Sequence, residues 1–204
     1  MDKTLASEAG NLGSIPSEST YTKRMFLHAI TPPAVAFVIG PLTVYWYGLV
    51  MVAAMAAAIA LACRLARYSE IKKETVLDMA FWLIIGGLIG ARIYEICLEF
   101  PYYLESPLSM FKIWQGGLAI HGALIGGAVA LILFARKRRL DFWKLAALCA
   151  PAVALGQAIG RWGNWFNQEL FGLPASGSWG IPIEAALRPA GYESFAYFQP
   201  AFLY

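Results

Sequence analysis

An all-α, polytopic integral membrane helix bundle with a small irregular extracytoplasmic head is the fold this 204-residue sequence predicts, on three observations. Hydrophobic residues make up 59% of the chain and charged residues 14%, where a soluble domain carries about 25% charged residues. Mean hydropathy is correspondingly high, +0.56. Long apolar stretches recur along the chain, each within the roughly 17 to 25 residues that one helical crossing needs. Basic residues gather between those stretches: Arg64, Arg67, Lys72 and Lys73 in one place, Arg136, Lys137, Arg138, Arg139 and Lys144 in another.

Residues 1–24 are rich in Ser, Glu, Thr and Gly and lack the basic start and apolar core of a secretory signal, so they read as a disordered polar tail. From Ala34 to Cys63 no ionisable acid or base occurs apart from tyrosines. Pro32, Pro33, Gly40 and Pro41 interrupt the front of that stretch, which predicts an interfacial or re-entrant piece followed by a first crossing at about 42–62. Further crossings are expected at about 76–98, 118–134 and 142–159, so that residues 25–159 form the bundle and 160–204 the head. Gly86 and Gly90, like Gly122 and Gly126, stand four apart, a spacing that lets membrane helices approach closely. Cys63, Cys97 and Cys149 all lie in or beside apolar segments; an odd set there reads as small core residues, not a disulfide framework.

The two basic clusters hold nine of the sixteen lysines and arginines and lie in alternate connections, which places both on the cytoplasmic side. The amino terminus, the loop from Phe100 to Gly117 and everything from Arg161 onward then face outside. The same clustering explains the net charge of +3 without any nucleic-acid partner; the partner it implies is the lipid bilayer. Trp162, Trp165, Trp179 and the tyrosines from Tyr192 to Tyr204 suit an interfacial aromatic belt over a Gly- and Pro-rich, irregular head with short strands.

Polar residues within apolar sequence mark the chemistry. The run from Gly160 to Gly172 places Arg161, Asn164, Asn167 and Glu169 directly after the fourth apolar stretch. A guanidinium at that depth is costly unless an anion satisfies it, and phospholipid headgroups are the abundant anions of a bilayer. Asn164 can orient a headgroup by donating and accepting, and Glu169 can fix the arginine's fork or bind a glycerol hydroxyl. His121 opens the glycine-rich third crossing at its outer end, where a neutral imidazole can take a proton from a thiol or hydroxyl. Arg92, with Glu95 and Glu99 further along the same helix, reads as a structural ion pair. Tyr47 sits in an aromatic cluster with Tyr45 and Trp46. No metal or other cofactor is expected, and the spaced acidic motif of a metal-dependent lipid phosphotransferase is missing, since Asp78 and Asp141 stand alone. A non-enzymatic lipid carrier or transporter is the competing class, because glycine packing and a membrane arginine suit it equally.

The thirteen residues Gly160–Gly172 resemble the signature G-R-x-G-N-[FW]-x-N-x-E-x-x-G of the bacterial phosphatidylglycerol:prolipoprotein diacylglyceryl transferases. Trp46-Tyr47-Gly48-Leu49 is similar to that family's first-helix segment, Gly117–Gly122 to its H-G segment, and Pro200–Tyr204 to the start of its P-x-x-L-Y-E stretch. The resemblance implies transfer of the diacylglyceryl group of phosphatidylglycerol to the lipobox cysteine thiol of preprolipoproteins, without a metal, in the bacterial plasma membrane. It also implies catalytic roles for His121, Arg161 and Tyr47, and substrate-binding roles for Arg161, Asn164, Glu169 and Gly172. In these roles Arg161 clamps the phosphate of the leaving group. Gln199 stands where the family has a histidine, which shifts the expected thiol base to His121. The sequence stops at Tyr204, ahead of the glutamate of that last stretch and of the family's final crossing.

Overall fold

The computed structural model describes residues 26–176 and 179–204; the tail expected over residues 1–24 lies outside them. Among the described residues four helices are long and apolar enough to cross a membrane: α1 (Trp46–Ala66), α2 (Lys73–Leu98), α4 (Ile120–Arg138) and α5 (Phe142–Phe166). A short helix, α3 (Phe100–Glu105), and two 3-10 turns join α2 to α4. The strands are few: β1 (Val35–Ile39) pairs with β2 (Leu42–Tyr45), and β3 (Ile181–Pro182) with β4 (Tyr197–Phe198), both antiparallel. The chain is an all-α, multi-pass membrane protein. The described residues divide into two compact units, one formed by residues 26–47 together with Arg161–Tyr204, the other by Gly48–Gly160.

Where an interfacial or re-entrant piece was expected, the chain forms the β1–β2 hairpin. Ile39 pairs with Leu42 across the two-residue turn Gly40-Pro41, and Gly40 has φ 57°, a conformation that glycine adopts without a Cβ penalty. Trp46 N–H donates to the Ala34 carbonyl at 3.0 Å, and helix α1 starts at Trp46, four residues after the start expected for the first crossing. At the other end of the chain the same unit has a core of Leu27, Ile181, Ile183, Phe198 and Phe202, with Trp165 and Phe171 packed on it. His28 is fixed there by its Nδ1, 2.8 Å from the Gly180 carbonyl, and by stacking on Tyr197.

The helical unit is organised by the contact of α2 with α4. A Cβ added at Gly90 would collide with the Gly122 carbonyl, and one at Gly126 with the Gly86 carbonyl, so the two backbones touch with nothing between them. In lipid, where helix and solvent are equally apolar, such close main-chain contact supplies the van der Waals energy that holds helices together. Gly156 and Gly160 of α5 likewise approach Ala58 and Met51 of α1. Near the basic connections a buried cluster including Ala62, Met79, Phe134, Leu145 and Leu148 joins all four helices. Arg138 pairs with Asp78 at 2.5 Å, but both side chains are half exposed, so the pair contributes at most about 1 kcal/mol. Helix α4 ends at Arg139, whose φ of 55° closes it, and its last turn carries Arg136, Lys137 and Arg138 toward the negative end of the helix dipole. Of the cysteines expected in the core, Cys63 and Cys149 are half-buried, whereas Cys97, on the last turn of α2, is exposed.

Gly126→Leu is expected to destabilise the protein by about 3 kcal/mol or more, because the displaced atoms are backbone and cannot repack. Gly127→Ala meets open space and should be neutral or stabilising by up to about 1 kcal/mol. Thermal unfolding in detergent micelles distinguishes the two.

Candidate active site

The polar run begins inside a helix, not after one. Helix α5 continues to Phe166, so Arg161 and Asn164 lie on its last two turns, where the sequence suggested that the crossing ends at Ile159. Glycines at 160 and 163 do not break the helix because tertiary packing outweighs their propensity; a Cβ at Gly163 would lie 2.9 Å from the Tyr47 ring. Trp46 stacks on Phe166 with ring centroids 5.3 Å apart. The chain then reverses at Gln168 and Leu170, with φ of 52° at each.

Gln168 is the residue that sequence reasoning passed over. Its side chain is buried, accepting the Glu184 N–H at 2.7 Å and donating to the Glu184 carboxylate at 3.1 Å. An inward-turned amide in an irregular segment has no periodicity to reveal it. Around this anchor the rest of the signature is laid out. Arg161 is exposed, and its Nη1 donates to the Tyr204 carbonyl at 2.8 Å. Glu169 does not hold the Arg161 fork; its Oε1 accepts from Asn167 Nδ2 at 3.3 Å, and its N–H donates to the Asn164 carbonyl at 2.9 Å. Gly172 donates its N–H to the Gln199 carbonyl at 2.8 Å, and a Cβ there would lie 3.2 Å from the Gln199 Cβ. Tyr47, Arg161, Asn164, Glu169 and Gly172 therefore belong to one compact unit.

His121 belongs to the other unit. It is the second residue of α4, exposed, with its ring stacked on Tyr94 of α2 at 5.9 Å between centroids. The ion pair expected between Arg92 and Glu95 or Glu99 does not form. The buried Arg92 guanidinium instead donates to main-chain carbonyls: Met110 at 2.9 Å, Gly116 at 2.8 Å, Gly117 at 2.7 Å, and Ser109. The face of Tyr103 lies 5.2 Å from its Cζ. A cavity of about 600 Å³ is an apolar cleft along α2 and α4 that includes Gly86, Ile89, Gly126 and Val129. Its walls bear few groups able to move a proton or grip an anion, so the candidate chemistry lies with the signature and with His121.

A family model of prolipoprotein diacylglyceryl transferases matches residues 34–204. Over 166 residues the chain is 47% identical to a phosphatidylglycerol–prolipoprotein diacylglyceryl transferase of Synechococcus elongatus, covering 81% of this chain and 57% of that protein. A protein of the same name from Trichormus variabilis is 44% identical over 174 residues, 85% of this chain and 62% of its own length. Another from Thermosynechococcus vestitus is 40% identical over 176 residues, covering 86% and 66%. The chain thus spans about three-fifths of the length of these relatives.

Gln168→Ala is expected to cost about 1 to 3 kcal/mol, since it strips the partner from the Glu184 N–H and leaves that donor unsatisfied. Asn167→Ala, which loses a single long and exposed bond, should cost less than about 0.5 kcal/mol. Paired thermal unfolding curves of the two variants check the difference.

Proposed function

Because this chain belongs to the prolipoprotein diacylglyceryl transferase family, we propose that it transfers the diacylglyceryl group of phosphatidylglycerol to the lipobox cysteine of preprolipoproteins. In this reaction the cysteine sulfur attacks the glyceryl carbon that carries the phosphate. The carbon–oxygen bond to phosphate breaks, a thioether forms, and glycerol phosphate leaves with the bonding pair. The thiol proton must be removed because the thiolate is the competent nucleophile, and His121 is the group assigned to take it. Arg161 is assigned to the phosphate, Asn164 and Glu169 to the glycerol end of the headgroup, and Tyr47 to the reacting region. Gly172 leaves room for the side chains of Gln199 and Ala201.

The observation that carries this reading is Arg161. It stands exposed on the last turns of an apolar helix, and of its five N–H donors one is engaged with a main-chain carbonyl. Among the described residues no carboxylate pairs with it. A phosphodiester can meet the planar fork with two oxygens, and the attraction rises as negative charge collects on the departing phosphate. In this reading the basic connections face the cytoplasm and this end of α5 lies at the outer surface of the bacterial plasma membrane, where a lipobox cysteine emerging from translocation meets lipid.

The test uses full-length protein, phosphatidylglycerol vesicles and a lipobox peptide, with thioether formation read by mass spectrometry. Arg161→Ala and Arg161→Lys should each lower the rate by about 10- to 100-fold, the lysine because it offers a point charge and no fork. His121→Gln should lose about 100-fold, in the range a positioned general base contributes. Lipid movement without thioether would instead identify a carrier, and an undiminished rate in Arg161→Gln would remove the phosphate clamp.

A further inference from the structure

Arg92 is a buried cation in a membrane helix that nothing in the proposed chemistry uses. Its position on α2 is six residues before the end of the helix, about 9 Å from that end at 1.5 Å per residue. No carboxylate neutralises it among the described residues; four main-chain carbonyls and one aromatic face surround it. Two of those carbonyls belong to Ser109 and Met110 and two to Gly116 and Gly117, so a single guanidinium gathers both ends of the loop that precedes α4.

The loop is shaped for this contact. Gly116 and Gly117 have φ of 91° and 72°, which side-chain-bearing residues avoid, and a Cβ at Gly117 would lie 2.6 Å from the Arg92 Nη1. Both carbonyls can therefore turn toward the arginine only because both residues are glycine. Two further ties continue in the same register. The Ala119 N–H donates to the carbonyl of Ala91, the neighbour of Arg92, at 3.2 Å, and the His121 ring stacks on Tyr94, two residues beyond Arg92. Residues 91–94 of α2 and 116–121 of the loop and α4 are thus joined at three successive levels, of which Arg92 is the first.

We propose that Arg92 is a positioning residue for His121: it sets the course of the 109–117 loop, and thereby the height at which the histidine enters α4. This inference rests on the proposed role of His121 as thiol base. Lysine cannot replace arginine here, because one ammonium cannot reach four carbonyls spread over two loop segments. A shift of the base by about 1 Å is enough to lower a proton-transfer rate about 100-fold.

Arg92→Lys is therefore expected to reduce kcat for thioether formation by about 10- to 100-fold while KM for phosphatidylglycerol stays within about twofold. In a His121→Gln background the same substitution should change the rate by less than about twofold, since the positioned group is already gone. Hydrogen exchange followed by mass spectrometry should rise about tenfold or more over residues 109–121, with α5 unchanged. Equal losses in both backgrounds, or unchanged exchange in the loop, would overturn the inference. A wild-type protein that forms no thioether would overturn the proposed function instead, and the exchange measurement would still decide whether Arg92 holds the loop.

Discussion

The contact of α2 with α4 at Gly86, Gly90, Gly122 and Gly126 is the constraint from which the helical unit follows. Membrane helices gain little by hiding apolar side chains from lipid, so stability must come from close atomic contact, and these four residues let backbone rest on backbone. The contact also sets the register. Gly90 against Gly122 places Ala91 opposite Ala119, and Tyr94 opposite His121. The polar features at that end of the helices are consequences of the glycine contact one turn away.

Two arginines show how differently one charge can be accommodated. Arg92 is surrounded by protein, with its donors directed at carbonyls whose positions the loop backbone dictates. Arg161 is exposed and holds one carbonyl. A group already satisfied by its own chain has little left for a ligand, whereas a group with unused donors keeps the capacity that the proposed phosphate contact needs. Sequence alone treats both as arginines in apolar surroundings, and the division of labour between them depends on acceptors contributed by distant backbone.

What the sequence made legible, and what it did not, follows the same physics. Runs of apolar residues long enough to span a bilayer reveal α1, α2, α4 and α5, because lipid demands them. The β1–β2 hairpin stayed hidden: both of its faces are apolar, so it has no alternating pattern and merges with the helix that follows. The end of α5 was misjudged because Arg161 and Asn164 look like the exit from a membrane, yet the helix carries them two further turns. Within the candidate site, the specific polar run made Arg161, Asn164 and Glu169 visible. Gln168 was not, since its partners are fixed only by folding, and main-chain acceptors such as those around Arg92 leave no mark in a sequence.

The hairpin has a consequence of its own. Val38, Ile39 and Leu42 at its tip are more than half exposed, which water penalises. Among the described residues its two strands also have unpaired outer edges, which hydrocarbon penalises. A ribbon with these two features suits neither phase alone, and the demands of edge and tip are met together only at a boundary between apolar and hydrogen-bonding surroundings. Since the hairpin runs directly into Trp46, whose N–H is held by the Ala34 carbonyl at its base, whatever fixes the ribbon also fixes the point from which α1 departs.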